Sequence, residues 1–440
     1  MKIMFISLGC DKNLVDTEEM LGLLKSAGHE FTDDEKEAEV IVINSCCFIG
    51  DAKEESINTI IEMGRLKETA KCKGLIVAGC LAQRYKDEIE AELPEVVVIL
   101  GTTSYDNIIS AVEQIEKGNK AKYIDDINRL VKVETDRIVT TGGHYAHLKI
   151  AEGCDKRCTY CVIPYVRGGY RSVPMDILIE RAKTLAEKGV KELILVAQET
   201  TMYGVDLYGK KMLPELLREL CKIAGLYFIR IMYCYPEEMD DELIKVIKEE
   251  DKICNYLDIP IQHASDNILK RMGRRTNNEQ IRNIIGKLRK EIPDIKIRTT
   301  LITGFPGETQ EDHEELMRFV DDMEFDRLGV FTYSPEEGTP AAGFEDQIDE
   351  NIKEDRRDEV MTLQQEIAFD KAQDMIGEEL LVMIEGKIPD ENAYVGRTYM
   401  DSPGIDGNIF ITTDEQLMSG DFCKVKVTGA LEYDLIGEIL

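Results

Sequence analysis

Long hydrophobic runs and tryptophan are missing from this 440-residue sequence. A helix that crosses a bilayer needs about 20 consecutive apolar residues, and no comparable uncharged stretch occurs, so the sequence predicts no membrane partner. The first residues pass directly into a strand-like pattern, without the basic segment and cleavage site of a secretory signal. We therefore expect a soluble, cytoplasmic protein.

Basic residues are scarce. Lys and Arg number 54 against 85 Asp and Glu, which gives a formal net charge of −31. This charge would repel a polyanion such as RNA unless basic groups are concentrated locally, and it would attract a basic partner. A surface that simply keeps the protein soluble is the alternative explanation.

The composition and the strand pattern predict an α/β protein of about three domains, with 43% apolar residues. Short apolar runs alternate with helical segments, which predicts an N-terminal doubly wound parallel sheet over residues 1–118. These runs lie at 3–8, 40–43, 75–78 and 96–100. A connector of mixed charge follows from about 118 to 141.

The same rhythm returns six times, which predicts a central partial (β/α)6 barrel over residues 140–370. The runs lie at 147–150, 192–197, 227–233, 256–261, 295–303 and 327–333. A polar helical stretch from about 349 to 376 then leads into the tail. There, short strand-like runs separated by Gly, Pro and Asp predict a small antiparallel β-barrel over residues 371–440.

Cys154, Cys158 and Cys161 form a compact triad directly after the first predicted barrel strand, where barrel enzymes carry their chemistry. Three thiolates can hold three irons of a 4Fe-4S cluster and leave the fourth iron open to another ligand. Zinc is the alternative. Zinc sites, however, prefer four ligands with paired spacings, and no fourth ligand of regular spacing follows in the sequence.

Cys10, Cys46 and Cys80 form a dispersed triad, in which each cysteine follows a predicted strand of the N-terminal domain. The carboxyl ends of parallel strands line one crevice, so thiols distant in sequence can converge there. Gly9 and Gly79 would let the backbone turn tightly beside a bulky inorganic group. This pattern predicts a second three-thiolate cluster. The alternative is three small buried side chains at strand ends.

The other cysteines carry no assigned role. Cys47 adjoins Cys46, and adjacent extended residues face opposite ways, so we assign the ligand to Cys46, which matches the other strand-end positions. The remaining thiols show no metal-ligand spacing and are expected to be ordinary buried side chains. They are Cys72, Cys221, Cys234, Cys254 and Cys423.

These motifs resemble a known family. Cys154-x-x-x-Cys158-x-Tyr160-Cys161 is similar to the cysteine motif of radical S-adenosylmethionine enzymes. With Leu-Gly-Cys-Asp-Lys-Asn at 8–13, Asn-Ser-Cys at 44–46 and Gly-Cys at 79–80, the chain resembles the methylthiotransferase family over essentially its whole length. The C-terminal small barrel of that family is called TRAM. Segments 10–16, 46–56 and 401–407 resemble the branch that modifies a protein rather than transfer RNA.

The resemblance implies two 4Fe-4S clusters and S-adenosyl-L-methionine as cofactors. It also implies the reaction, methylthiolation of the β-carbon of an aspartate in ribosomal protein S twelve. In this family the cofactor is cleaved to a radical, which can abstract hydrogen from an unactivated aliphatic carbon. The dispersed triad would hold the sulfur to be transferred. The tail has 5 Lys or Arg against 14 Asp or Glu, which suits a basic ribosomal protein, so RNA binding by TRAM is not expected to dominate.

Cofactor contacts are expected at the carboxyl ends of the barrel strands. By position and motif, the candidates are Tyr160, Gln198, Thr200, Arg230, Gln262, His263 and Gly304. His263 could equally be a polar residue satisfied inside the barrel mouth. The run 304–309 could equally be only a turn into a capped helix.

Two other functions stay open at this point. A transfer RNA methylthiotransferase would apply the same chemistry to a nucleoside. An iron-sulfur electron carrier or redox sensor would hold two clusters without catalysis. Neither the electron donor nor the source of sulfur can be read from the sequence.

Overall fold

The computed structural model describes residues 1–133, 136–389 and 391–440, and the chain divides into two compact units. The first unit comprises Met1–Thr140, Ala151–Val173 and Ser334–Ala342, and the second comprises Thr141–Ile150, Pro174–Tyr333 and Gly343–Leu440. The segment with the compact triad thus belongs to the same unit as the N-terminal sheet. Part of the predicted connector, residues 134 and 135, lies outside the described residues.

The N-terminal part of the first unit is a parallel sheet with helices on both faces. Its strands are ordered β2-β1-β3-β4-β5-β6. The elements are β1 (Lys2–Ser7), α1 (Asp11–Ser26), β2 (Glu30–Phe31), β3 (Val40–Ser45), α2 (Gly50–Gly64), α3 (Leu66–Thr69), β4 (Gly74–Ala78), α4 (Gly79–Arg84), α5 (Lys86–Glu92), β5 (Val96–Leu100), α6 (Ile108–Glu116) and β6 (Ala121–Tyr123). Alternate residues of β3 enter different hydrophobic clusters, one with α1 and α6 and the other with α2, α4 and α5. The predicted doubly wound sheet is confirmed.

A short segment then completes the first unit. After β7 (Tyr145–Lys149), which belongs to the second unit, the chain forms β8 (Ala151–Glu152), α7 (Ile163–Val166) and β9 (Arg171–Ser172). β8 and β9 pair as an antiparallel ribbon. Val162 and Val166 pack into the apolar cluster beneath α2 and α4, so burial fixes this segment against the N-terminal sheet.

The sheet of the second unit is parallel, in the open order β7-β10-β11-β12-β13-β14. Its further elements are α8 (Met175–Glu187), β10 (Glu192–Val196), α9 (Val205–Tyr208), α10 (Leu213–Cys221), β11 (Phe228–Ile231), α11 (Asp241–Glu249), β12 (Ile253–Asp258), α12 (Asp266–Arg271), α13 (Asn278–Glu291), β13 (Lys296–Thr303), α14 (Gln310–Met323) and β14 (Arg327–Thr332). Each strand after the first follows a helical crossover. This order confirms the predicted partial barrel.

A long helix, α15 (Glu350–Asp374), precedes the C-terminal barrel. That barrel comprises β15 (Glu379–Lys387), β16 (Ala393–Arg397), β17 (Ile409–Thr412), β18 (Phe422–Ala430) and β19 (Leu435–Ile439), closed in the order β15-β16-β17-β19-β18. The predicted small barrel is confirmed, with one difference: β17 and β19 pair in parallel. Among the described residues, no helix is long and apolar enough to span a membrane.

A buried ion network joins the parallel sheet of the second unit to its C-terminal barrel. Glu192 in β10 accepts hydrogen bonds from Arg230 Nε at 2.8 Å and from Arg397 Nη2 at 2.5 Å. The three side chains are at most 1% exposed. Burial opposes ionisation of Glu192, but the two guanidiniums outweigh it and lower its pKa to about 2. The carboxylate therefore stays charged and holds both arginines.

The loop at 401–407 docks on the same sheet. Arg327 in β14 pairs with Asp401 at 2.5 Å, and Arg298 in β13 pairs with Asp406 at 3.3 Å. The Tyr256 hydroxyl also donates to Asp406, at 2.7 Å. This loop is one of the segments that resemble the protein-modifying branch, and here its carboxylates anchor the small barrel.

Glu192→Gln should destabilise the protein by about 3–5 kcal/mol, because it leaves Arg230 buried without a counter-charge and leaves Arg397 with Glu385 as its remaining carboxylate. The folded-state pKa of Glu192 is lowered, so its contribution is present above the ordinary pKa of 4.5 and is lost as pH falls toward about 2. The stability difference from the unaltered protein should therefore shrink across that window. Urea unfolding at several pH values measures it.

Glu187→Gln, at an exposed position of α8, is the matched control. It should change the free energy of unfolding by less than about 0.5 kcal/mol. If Glu192→Gln cost no more than this control, the network would not be holding the second unit together.

Candidate functional site

The dispersed triad lies at the carboxyl edge of the N-terminal sheet. Cys10 is the N-cap residue of α1, Cys46 follows β3, and Cys80 lies in the first turn of α4. The strands β1, β3 and β4 that precede them are neighbours in the sheet. Because parallel neighbours end at one edge, the fold brings the three cysteines to the same place, as the strand pattern predicted.

Two glycines allow this close approach. Gly9 and Gly79 have φ of +84° and +89°, a left-handed conformation that favours glycine. A Cβ on Gly9 would stand 2.7 Å from Cβ and 2.8 Å from Sγ of Cys46. A Cβ on Gly79 would stand 2.5 Å from the carbonyl oxygen of Ser45. Neither position has space for a side chain.

The thiols of the dispersed triad influence one another electrostatically. Burial, followed by the neighbouring Cys80, raises the pKa of Cys46 to about 12, and Cys10 adds to the rise. Burial also raises the pKa of Cys80, while Arg167 opposes the rise. Without bound metal, Cys46 and Cys80 therefore keep their protons. A cationic metal group must displace those protons when the thiolates bind it.

Cys47 faces a different environment from Cys46. Burial raises its pKa, and the neighbouring charges are those of Cys80, Arg84 and Cys46 rather than Cys10. It also belongs to the apolar cluster beneath α2 and α4, as Cys80 does. The assignment of the ligand to Cys46 stays a prediction.

The compact triad occupies the loop between β8 and α7. Cys154 and Cys158 are buried and Cys161 is half-buried. The Cys154 amide donates to Gly168 O at 3.1 Å, and the Cys161 amide donates to Cys158 O at 3.1 Å. The first bond ties the start of the loop to Gly168, and the second closes a turn over residues 158–161.

The backbone of this loop is tightly constrained. Arg157 has φ of +55°, which is uncommon for a residue with a side chain, and Gly153 has φ of +80°. A Cβ on Gly153 would overlap Gly169 O and stand 2.6 Å from Gly168 O. The loop therefore depends on the pair Gly168-Gly169 packing against Gly153.

Arg167 is a site residue that the sequence did not reveal. The residue is 1% exposed, and its guanidinium lies beside Cys80, with Nε 3.4 Å from Sγ. Nη1 donates to Asp16 at 2.7 Å and to Glu152 at 3.1 Å, and Nη2 donates to Asn13. The available sequence signal was weak, since the residue precedes two glycines and lies six positions after the last cysteine of the compact triad.

Two of the predicted cofactor contacts at β10 and β11 have other partners. Arg230 was a candidate by position, but its donors bind Glu192 and the carbonyl oxygens of Tyr399 and Thr398. The buried guanidinium thus serves the ion network, and a contact of Arg230 with the cofactor stays a prediction. The Thr200 hydroxyl donates to Met232 O at 2.7 Å, so this hydrogen bond joins the loop after β10 to the end of β11.

The candidates at the ends of β12 and β13 have unusual backbone conformations. Gln262 has φ of +74° and Gly304 has φ of +69°. Within the same unit, a Cβ on Gly304 would clash with Lys353 of α15. At Gln262, which carries a side chain, this backbone is strained, and such strain is retained where the surrounding structure imposes it, often at functional sites. Gln198 and Tyr160, the other candidates, are partly exposed.

His263 is fully buried and oriented by its neighbours. Its Nδ1 accepts from the Ser265 amide at 3.0 Å, which places the ring proton on Nε2. Nε2 lies 3.6 Å from a carboxylate oxygen of Glu308, and Arg356 of α15 pairs with that carboxylate at 3.0 Å. The run at 304–309 also leads into a capped helix, because Thr309 and Asp312 form a capping box at the start of α14.

Family models match three parts of the chain. Residues 148–320 match the radical SAM superfamily, residues 2–101 match Uncharacterized protein family UPF0004, and residues 376–440 match the TRAM domain.

Curated relatives match over the full length. A protein of Lachnoclostridium phytofermentans named ribosomal protein uS12 methylthiotransferase RimO is 64% identical over 99% of both chains. A protein of the same name from Acetivibrio thermocellus is 53% identical over 100% of this chain and 98% of its own.

Solved structures share the fold at low identity. The radical S-adenosylmethionine methyltransferase TsrM of Kitasatospora setae, with cobalamin and a 4Fe-4S cluster bound, has a TM-score of 0.56 and is 14% identical. The match covers 77% of this chain and 73% of that one.

The fold and the compact cysteine loop define a radical S-adenosylmethionine enzyme. Within that class, the full-length relatives show that the chain belongs to the RimO family of ribosomal protein uS12 methylthiotransferases.

Gly153→Ala should open the compact loop, since a side chain in the left-handed conformation costs about 1–2 kcal/mol and must also displace Gly168 and Gly169. In metal-free protein, Cys154 should then react with iodoacetamide at least ~10-fold faster, because local opening exposes it. Mass spectrometry of the labelled peptides measures the rate.

Gly118→Ala is the matched control in the same unit, because Gly118 also has a positive φ, +71°, but a Cβ there meets no atom within 4 Å. Its labelling rate at Cys154 should equal that of the unaltered protein. Equal rates in all three proteins would show that Gly153 does not close the loop.

Proposed function

We propose that this protein adds a methylthio group to the β-carbon of an aspartate in ribosomal protein uS12, using S-adenosylmethionine and two 4Fe-4S clusters. The observation that carries the proposal is the presence of two cysteine triads in one unit of a chain 64% identical to a named uS12 methylthiotransferase. A ribosomal-protein substrate places the reaction in the cytoplasm.

The residues present fit an iron-sulfur group better than a single ion. Across the described parts of the chain, no three His, Cys, Asp or Glu side chains are arranged to hold one metal ion. The support for a cluster is the donor chemistry, since each triad supplies three thiols, the donor type that iron-sulfur clusters require. With three protein thiolates on four irons, one iron stays open in each proposed cluster. Structural zinc, with its four close ligands, fits this donor set less well.

The proposed substrate explains why such groups are needed. A β-hydrogen of aspartate is a poor acid, so a side-chain base cannot remove it at a useful rate. When bound at the compact triad, the cluster and S-adenosylmethionine supply a radical that abstracts hydrogen from such a carbon. The chain's own task is then to hold each partner in place and exclude water, and the buried thiols and tight loop backbone serve it.

The dispersed triad is the proposed sulfur holder. Its cysteines end three neighbouring strands, which makes it a rigid site, and Cys10 is exposed while Cys46 and Cys80 are buried. An exposed ligand on one side leaves a path for a sulfur species to enter. Rigid strands on the other side keep the position of that sulfur fixed, which replaces diffusion by positioning.

Cofactor contacts are proposed for Tyr160, Gln198, Thr200, Arg230, Gln262, His263 and Gly304. The support is the oriented imidazole of His263 and the left-handed backbone at Gln262 and Gly304. Arg356 and Glu308 hold the loop after β13 in position for such a role.

Charge supports a protein substrate over RNA. Two carboxylates of the tail, Asp401 and Asp406, are used in internal ion pairs, but other acidic residues of the tail are exposed, including Glu379, Glu415 and Glu438. Such a surface attracts a basic protein and repels a phosphate backbone.

The test is anaerobic incubation of reconstituted enzyme with S-adenosylmethionine, a reductant, a sulfide source and either uS12 or transfer RNA, followed by mass spectrometry. A methylthio group should appear on an aspartate of uS12. Replacing the compact triad (Cys154→Ala, Cys158→Ala and Cys161→Ala) should abolish both 5′-deoxyadenosine and the product. Replacing the dispersed triad (Cys10→Ala, Cys46→Ala and Cys80→Ala) should abolish the product and leave 5′-deoxyadenosine formation.

Cys72→Ala is the matched control, since this buried thiol belongs to the same unit and bonds only weakly to Gly74 O at 3.7 Å. It should retain product formation. Modification of transfer RNA but not of uS12 would refute the substrate. Two clusters without any 5′-deoxyadenosine would indicate an electron carrier or redox sensor instead.

A further inference from the structure

Arg167 contacts a thiol of the dispersed triad directly, as the one cation that does so among the hydrogen bonds of the described residues. It lies just beyond α7, and its side chain is 2% exposed. The Nε atom points at Sγ of Cys80 at 3.4 Å, a hydrogen-bond distance for sulfur. A charged donor thus faces one of the three proposed ligands of the sulfur-holding site.

The other guanidinium contacts keep this donor fixed and charged. Asp16 of α1 and Glu152 of β8 accept from Nη1, and the Asn13 side-chain oxygen accepts from Nη2. Arginine stays protonated in proteins, and the carboxylates of Asp16 and Glu152 supply its counter-charges here. The cation cannot turn away from Cys80 without breaking ion pairs in a buried site.

A fixed cation beside a metal-bound thiolate has a defined electrical effect. Reduction adds negative charge to an iron-sulfur group, and a nearby positive charge or an N–H bond to its sulfur stabilises the reduced form. The carboxylates of Asp16 and Glu152 partly cancel that effect. The potential at this site should therefore depend on the balance between Arg167 and its two partners.

We propose that Arg167 is a positioning residue that raises the reduction potential of the iron-sulfur group held by Cys10, Cys46 and Cys80, through its bond to Cys80. The proposal rests on the proposed function, since it requires a cluster at the dispersed triad. It goes further by naming the residue that sets the electronic state of the sulfur-holding site. A lysine could keep the charge but not the planar fork that reaches Cys80, Asp16 and Asn13 together.

The test isolates the dispersed site by using Cys154→Ala, Cys158→Ala and Cys161→Ala as the background. Iron and sulfide are counted, and the potential is measured by redox titration followed by electron paramagnetic resonance. Arg167→Gln should shift the potential to a lower value. Asp16→Asn should shift it to a higher value, because it removes a compensating negative charge without touching a thiol. Arg167→Lys should lie between Arg167→Gln and the background.

Arg129→Gln is the matched control, because Arg129 is a half-exposed arginine of the same unit that pairs with Asp106 and Asp125 and touches no thiol in the described contacts. The reduction potential measured in Arg129→Gln should equal that of the background protein. If Arg167 had a merely structural role, its replacement would change iron content or stability. The reduction potentials of Arg167→Gln and Asp16→Asn would then not shift in opposite directions.

Unchanged potentials in Arg167→Gln and Asp16→Asn, with full iron, would overturn the inference and leave the proposed function intact. If Arg167→Gln fails to hold iron, Asp16→Asn alone decides by the sign of its shift. Loss of iron in both would assign Arg167 to assembly of the site and overturn the inference. A background protein that binds no iron at all would instead refute the second cluster of the proposed function.

Discussion

A buried guanidinium holds together the two segments on which the proposed chemistry depends. Arg167 comes from the chain that carries the compact triad, and its partners Asn13 and Asp16 come from the helix that begins at the dispersed triad. A buried charge without partners would cost several kcal/mol, so the ion pairs and the apolar packing of α7 must form together. The two triads therefore belong to one structural unit.

The second unit is organised by the same kind of constraint. Glu192 holds Arg230 and Arg397 out of contact with water, and the loop at 401–407 supplies carboxylates to Arg298 and Arg327. The small barrel is thus fixed to the parallel sheet through charged groups rather than through apolar area alone. Replacing one partner of such a network is costly, whereas the exposed face of the barrel can vary without that penalty.

The strand rhythm and the cysteine spacing allowed the fold class and both triads to be read from the sequence, because the residues that define them repeat locally or end predicted strands. Gly9 and Gly79 were likewise recognisable, since a tight approach requires glycine.

The sequence did not show which segments belong to which of the two compact units. Residues 151–173 lie between two predicted barrel strands, yet they pack on the N-terminal sheet, and only long-range burial decides that. Arg167 is 151 positions from its partner Asp16 and 154 from its partner Asn13, so no local period links them. The protein partners of Arg230 were hidden for the same reason, because two of them, the carbonyl oxygens of Thr398 and Tyr399, come from the distant small barrel.

The central claim is that each triad holds its own iron-sulfur group. The most direct measurement is the iron and sulfide content of the anaerobically reconstituted protein, compared with the two triple-alanine variants in which one triad is removed. Two 4Fe-4S clusters predict about eight irons per chain, falling to about four when either triad is removed. If removing the compact triad took away all of the iron, or if removing the dispersed triad took away none, the account of two separate clusters would be wrong.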